Sequence, residues 1–179
     1  MSAGHGHIDP SNKKIALLIA VLALVLAFSE TLGKAAQTSA LSLNIEASNL
    51  WAFFQAKTIR QTVLRTAAEQ TEAISPSSTK QIEQWRKTAQ RYQSEPESGE
   101  GRDELMSRAK EAEKKRDRSM AAYHQYELAS AAVQIAIVLA SAAIVTGAMA
   151  LAWIGAGLGV VGIVFCLIGF LAPTAVHLF

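Results

Sequence analysis

From Leu128 to Phe179 the chain carries no Asp, Glu, Lys or Arg. A stretch this long and this apolar has no place inside a small water-soluble core. At ~20 residues for each crossing of a ~30 Å hydrocarbon layer, it suffices for two membrane spans. Within hydrocarbon every peptide group must find its hydrogen bond inside the chain, so each span is expected to be a helix.

A second uncharged run, Ile15–Phe28, lies near the N-terminus behind Lys13 and Lys14. Alone it is short for a span. Extension to Gly33 brings it to ~19 residues, with Glu30 at the rim and Lys34 one turn on as its pairing partner. Asp9-Pro10-Ser11 suits a helix start, since proline is tolerated in a first turn. A basic start and a short apolar run also fit a cleaved signal peptide. The nearest small-residue cleavage pattern, Thr38-Ser39-Ala40, is poor, so a retained span is preferred.

The pattern therefore predicts an all-α membrane protein with three transmembrane helices. Its parts are a polar tail over 1–14, spans over 15–33, 128–154 and 158–175, and a long extramembrane helical hairpin, coiled-coil-like, over 34–127. Ala132, Ala136 and Ala140 recur every four residues in the second span, as do Ala148, Ala152 and Ala156 beyond them. Small residues at that spacing let helix backbones approach closely in lipid. Gly155-Ala156-Gly157-Leu158-Gly159 is expected to break the helix between the last two spans. Gly155 and Gly159 also make a Gly-xxx-Gly packing pattern. Pro173 suits the end of the third span, and Gly162 and Gly169 fit a face turned to the second. Trp153 and Phe179 fit membrane interfaces, where aromatic rings concentrate.

The middle reads as helix nearly throughout. From Ser29 to Ile74 there is no proline, and Gly33 is the only glycine. Leu43, Ala47, Leu50 and Phe54 supply one apolar face, and Phe53, Ala56, Val63, Ala67, Gln70 and Ile74 a second. One continuous helix from Asn12 to Ile74 would be about 95 Å long at ~1.5 Å per residue. Ser75-Pro76 ends it, because the residue before proline avoids helical backbone. A shorter helix over 78–93 presents Ile82, Trp85, Ala89 and Tyr92. A polar turn over 94–101 leads to a helix from Arg102 whose seam is Leu105, Ala109, Ala112, Arg116, Ser119 and Tyr123. That seam holds few large apolar side chains, each worth only ~1.5–3 kcal/mol when buried. A lone hairpin is therefore marginal, and several chains are expected to associate. Trp51, Phe53 and Phe54 then serve as core, with Gln55 and Lys57 beside them as packing candidates.

The stretch Glu46-Ala47-Ser48-Asn49-Leu50-Trp51-Ala52-Phe53-Phe54-Gln55-Ala56-Lys57-Thr58-Ile59-Arg60 resembles the signature of a bacterial family known as domain of unknown function 4337. The resemblance covers nearly the whole chain. It implies a His-bearing tail, one span, a charged helical middle and two further spans, in a membrane protein with no assigned activity or site residues. Relatives often carry arginines between the last two spans, whereas Trp153–Gly157 here is uncharged.

Candidate chemistry is sparse. The 17 basic and 15 acidic residues interleave, which suits a solvated helix surface rather than the one-sided patch a nucleic acid requires. His5 and His7 with Asp9 offer too few ligands for a fixed metal site, and a disordered polar tail is the simpler reading. His124, between Tyr123 and Tyr126, suits interfacial packing. The lone cysteine, Cys166, reads as a small buried hydrophobe. No cofactor and no enzymatic activity are expected.

Lys13 and Lys14 favour a cytoplasmic N-terminus, while Lys110, Lys114, Lys115, Arg116 and Arg118 argue for a cytoplasmic middle. Positive charge orients loops up to ~60 residues, and the middle, at about 100, exceeds that. The expectation is an inner-membrane protein with its N-terminus inside and its middle in the periplasm. Its function is expected to be that of a homo-oligomeric scaffold whose partners are the bilayer and other membrane proteins. An oligomeric pore lined by Gln134 and an accessory subunit of a larger complex are the alternatives.

Overall fold

The structure is a computed structural model describing residues 10–175. The sequence features at His5, His7, Asp9, His177 and Phe179 lie outside those residues. The described chain is helical without strands: α1 (Pro10–Ile74), α2 (Thr79–Gln93), α3 (Arg102–Thr146) and α4 (Met149–Leu171). Three of them, α1, α3 and α4, are long and apolar enough to cross a membrane. Two compact units result. One joins residues 10–39 with residues 118–175, and the other is Ala40–Asp117.

In the unit containing the apolar stretches, α1, α3 and α4 pack through small residues. Ile15, Ala140, Ala143 and Ala152 form one buried cluster, and Leu22, Val133 and Ala136 a second. The buried row on α3 is Ala129, Val133, Ala136, Ala140 and Ala143. It advances by alternate steps of four and three, which hold one face of a 3.6-residue helix. A strict four-residue series drifts about 40° per step at that pitch. Hence Ala136 and Ala140 are fully buried while Ala132 is only half-buried.

The break between the last two apolar helices falls at Gly147, eight residues before the expected turn begins at Gly155. Gly147 adopts φ +70°, a conformation that ends helices and that glycine alone takes without strain. Its amide donates to Ala143 O at 3.0 Å, and the Ala148 amide donates to Thr146 Oγ1 at 3.3 Å. The second apolar helix therefore stops at Thr146 rather than Ile154, and the third starts at Met149 rather than Leu158. Gly155 and Gly159 do not break the chain. They lie inside α4 on a buried row with Ala152, Gly162 and Gly169.

In the Ala40–Asp117 unit α1 and α3 run antiparallel. Gln61 meets Arg102, Trp51 meets Glu113, and Asn44 meets Arg116, so numbers rise on one helix as they fall on the other. The core is Ala47, Leu50, Leu105, Ala109 and Ala112, flanked by Trp51 and Phe54. Ile82 and Ala89 of α2 are also buried. Of the two faces anticipated on α1, the one with Ala47 and Leu50 is the core. The other is exposed: Val63 is 60% and Ile74 82% accessible.

Candidate functional site: a polar clasp on helix α1

Beyond Phe54 the core face of α1 turns polar for two positions. After Ala47, Leu50 and Phe54, the same alternate steps of three and four reach Lys57, Gln61, the half-buried Leu64 and Ala68. Lys57 is 6% and Gln61 2% exposed. Polar groups so deeply placed cost free energy unless they are bonded, and here each one is.

The Lys57 ammonium lies 3.7 Å from Glu100 Oε2 and 4.0 Å from Glu95 Oε2, both in the loop after α2. It also stands 5.3 Å from the Phe53 ring centroid and 5.1 Å from that of Tyr92. The negative faces of those rings add cation–π attraction. One cation thus ties α1 to the end of α2 and to the loop beyond it.

Gln61 holds the next layer. Its Nε2 donates to Ala89 O at 2.9 Å and to Gln93 Oε1 at 3.1 Å. Its Oε1 accepts from Arg102, which also donates to Gln93 Oε1 at 3.0 Å. The Arg102 guanidinium lies 5.0 Å from the Phe54 ring centroid. The first residue of α3 is therefore fixed against α1 and α2 together. Lower on the pair, Trp51 Nε1 donates to Glu113 Oε1 at 2.9 Å, and the Trp51 and Phe54 rings meet edge to face at 5.5 Å.

The loop closes on itself through Glu104. Its Oε1 accepts from Ser94 Oγ at 2.6 Å, and its Oε2 accepts from the Glu95 amide at 3.2 Å. These bonds hold its carboxyl below the ordinary value, the Ser94 hydroxyl contributing most. Gly101 makes the closure possible. A Cβ there would lie 2.4 Å from the Glu95 nitrogen and 2.7 Å from Ser94 Cα.

The family model described as a domain of unknown function, DUF4337, matches residues 11–172. The chain belongs to this family. No curated protein and no solved structure matches it. The packing candidates of the Glu46–Arg60 stretch separate by role. Trp51, Phe54 and Lys57 enter the clasp, Phe53 flanks it at 36% exposure, and Gln55 is exposed. Gln61, Arg102 and Glu113 belong to the clasp although the sequence pattern does not single them out. Gln61 carried one signal, its position on the core face of α1, and a count of apolar residues passes over it.

In the other unit, α4 lies backbone to backbone against α3. A Cβ on Gly155 would stand 2.9 Å from Ala136 O, and one on Gly162 3.1 Å from Ala129 O. A Cβ on Gly159 would meet Leu22 Cδ2 of α1 at 2.5 Å. Gln134 is exposed, and its Nε2 donates to Glu30 Oε1 at 3.4 Å, so Glu30 finds its partner on α3 rather than at Lys34. His124 Nδ1 lies 3.6 Å from Glu127 Oε2 on an exposed surface. Among the described residues no group of three or more His, Cys, Asp or Glu is placed to hold a metal.

Proposed function

We propose that this DUF4337 protein is a membrane-anchored, self-associating helical scaffold. On this reading α1, α3 and α4 each cross the inner membrane, and the Ala40–Asp117 unit stands outside the bilayer as a fixed docking element. The observation that carries the reading is the use made of the aromatic and basic side chains on the core face of α1. Trp51, Phe54 and Lys57 bond within their own unit and lock three chain segments into one shape. Functional groups spent in this way hold geometry rather than act on a substrate. A rigid charged unit fastened to apolar helices suits recruitment and organisation of other membrane components. The test is the mass of the full-length protein in nanodiscs, read by mass photometry. A discrete multimer of the chain supports the scaffold, and a monomer at all concentrations refutes self-association.

The Glu30–Gln134 pair favours a second reading. Exposed polar side chains on otherwise apolar helices are costly against lipid, and a pore at the centre of a multimer would shelter them. Ion flux through liposomes that falls on Gln134→Leu substitution would establish the pore. Absence of flux in both forms would leave the scaffold.

A further inference from the structure

On the side of α1 turned away from the core of the Ala40–Asp117 unit, the surface is apolar. Leu41, Ile45, Ile59 and Val63 are 59%, 61%, 65% and 60% exposed, with exposed Ala52 and Ala56 between them. The numbers 41, 45, 52, 56, 59 and 63 advance by threes, fours and sevens. At 100° per residue all six fall within about 60° of one another, on the face opposite Leu50 and Gln61. An amphipathic helix with one buried stripe has a polar outer face. This helix has a second apolar stripe.

We infer that this stripe is where a second copy of the chain docks, parallel and in register. The inference rests on the scaffold reading above, since anchorage by the same spans gives every copy the same orientation and height. Charge decides the occupant. In a parallel pair each stripe residue meets its own counterpart, and the two borders of the stripe face each other across the seam. One border carries Ser48, Gln55 and Thr62, all neutral. The other carries Asn49 and Arg60. Arg60 therefore faces amide and hydroxyl groups, and no like charges are brought together. The outer surface of α3 is different in kind, with Lys110, Glu111, Lys114 and Lys115 all exposed. That surface suits water, and the α1 stripe suits its own copy.

The apolar unit supplies an independent sign on its own part of α1. Ala16, Ala20, Ala23 and Ala27, spaced by fours and threes, form an exposed edge of small residues. Beside it Leu17, Leu24 and Phe28 are 67%, 58% and 59% exposed. A small edge next to a bulky one permits close approach of a second helix on the first and lipid contact on the other.

The experiment uses the full-length protein in nanodiscs, in a Cys166→Ala background. Single cysteines are introduced as Ile45→Cys, Ile59→Cys and, on the outer surface of α3, Lys115→Cys. A fourth sample mixes Leu41→Cys with Val63→Cys chains. A disulfide requires Cα atoms within ~7 Å. Under mild oxidation Ile45→Cys and Ile59→Cys are expected to form same-position dimers at least tenfold faster than Lys115→Cys. The mixed sample is expected to form no Leu41–Val63 heterodimer. Equal or faster cross-linking at Lys115, or a Leu41–Val63 heterodimer, overturns the parallel seam. Mass photometry of the same samples separates the two ideas. A multimer without seam cross-links overturns the docking face and leaves self-association standing, whereas a monomer overturns both.

Discussion

Gly162 and Gly157 sit five positions apart on α4 and have opposite surroundings. A Cβ on Gly162 would meet Val133 Cγ2 at 2.5 Å and Ala129 O at 3.1 Å, while one on Gly157 meets nothing within 4 Å. Gly162→Ala is therefore expected to cost about 1–3 kcal/mol through overpacking. Gly157→Ala is expected to be neutral or to stabilise by up to ~1 kcal/mol, from helix propensity. Thermal unfolding in detergent checks both. In the clasp, Lys57→Met keeps the packing stem but removes the charge from Glu95, Glu100 and two aromatic faces. A loss of about 1–2 kcal/mol is expected, read as a lower unfolding midpoint of the Ala40–Asp117 unit. Glu104 gives a pH dependence. Its carboxyl is held below the ordinary 4.5, chiefly by Ser94. A carboxyl depressed in the folded state stabilises the fold above its unfolded pKa and loses that contribution as pH falls through the folded value. The clasp is thus expected to keep its stability from pH 7 down to about 4.5 and to weaken below it. Glu104→Gln is expected to flatten that acid limb in melting curves taken from pH 7 to pH 3.

At the scale of elements, helix existence was readable because charge, proline and periodicity all act locally. Ser75-Pro76 marks the end of α1 at Ile74 and Arg102 begins α3, as the local pattern predicts. The break at Gly147 was not readable. Three clustered glycines over 155–159 look like a stronger signal than one, yet their backbone is helical. Their role lies in contacts with Ala136 and Leu22, which sequence spacing does not display. The clasp was half legible for the same reason. Trp51 and Lys57 announce themselves as unusual residues, but the identity of their partners depends on antiparallel pairing across some sixty and forty positions respectively. The choice between the two apolar faces of α1 required α3 to be in place, since both faces satisfy helical spacing equally well. One element-scale test follows. Gly147→Ala forces a side chain onto a left-handed backbone at a cost of about 1–2 kcal/mol. In a Trp85→Phe, Trp153→Phe background it is expected to lower the melting point in detergent while leaving the clasp's Trp51 fluorescence unchanged below the transition.

At the scale of the whole molecule, two kinds of surface coexist in one chain. Apolar helix segments packed through small residues hold one unit together, and a bonded polar clasp holds the other. Each unit stabilises itself by the means its own composition allows. Close backbone contact serves in the apolar unit, and charge-assisted bonding beside aromatic rings serves in the charged one. On the proposed reading the apolar parts of α1 and α3, and α4, lie in hydrocarbon, which covers Leu17, Leu24, Phe28, Val138, Val160 and Phe170 where the protein itself leaves them exposed. The most direct measurement is the partition of the expressed full-length chain after membranes are washed with alkaline carbonate. The chain is expected to stay wholly with the membrane pellet and to leave only with detergent. Recovery of the chain as soluble, folded protein in the carbonate supernatant would contradict that reading.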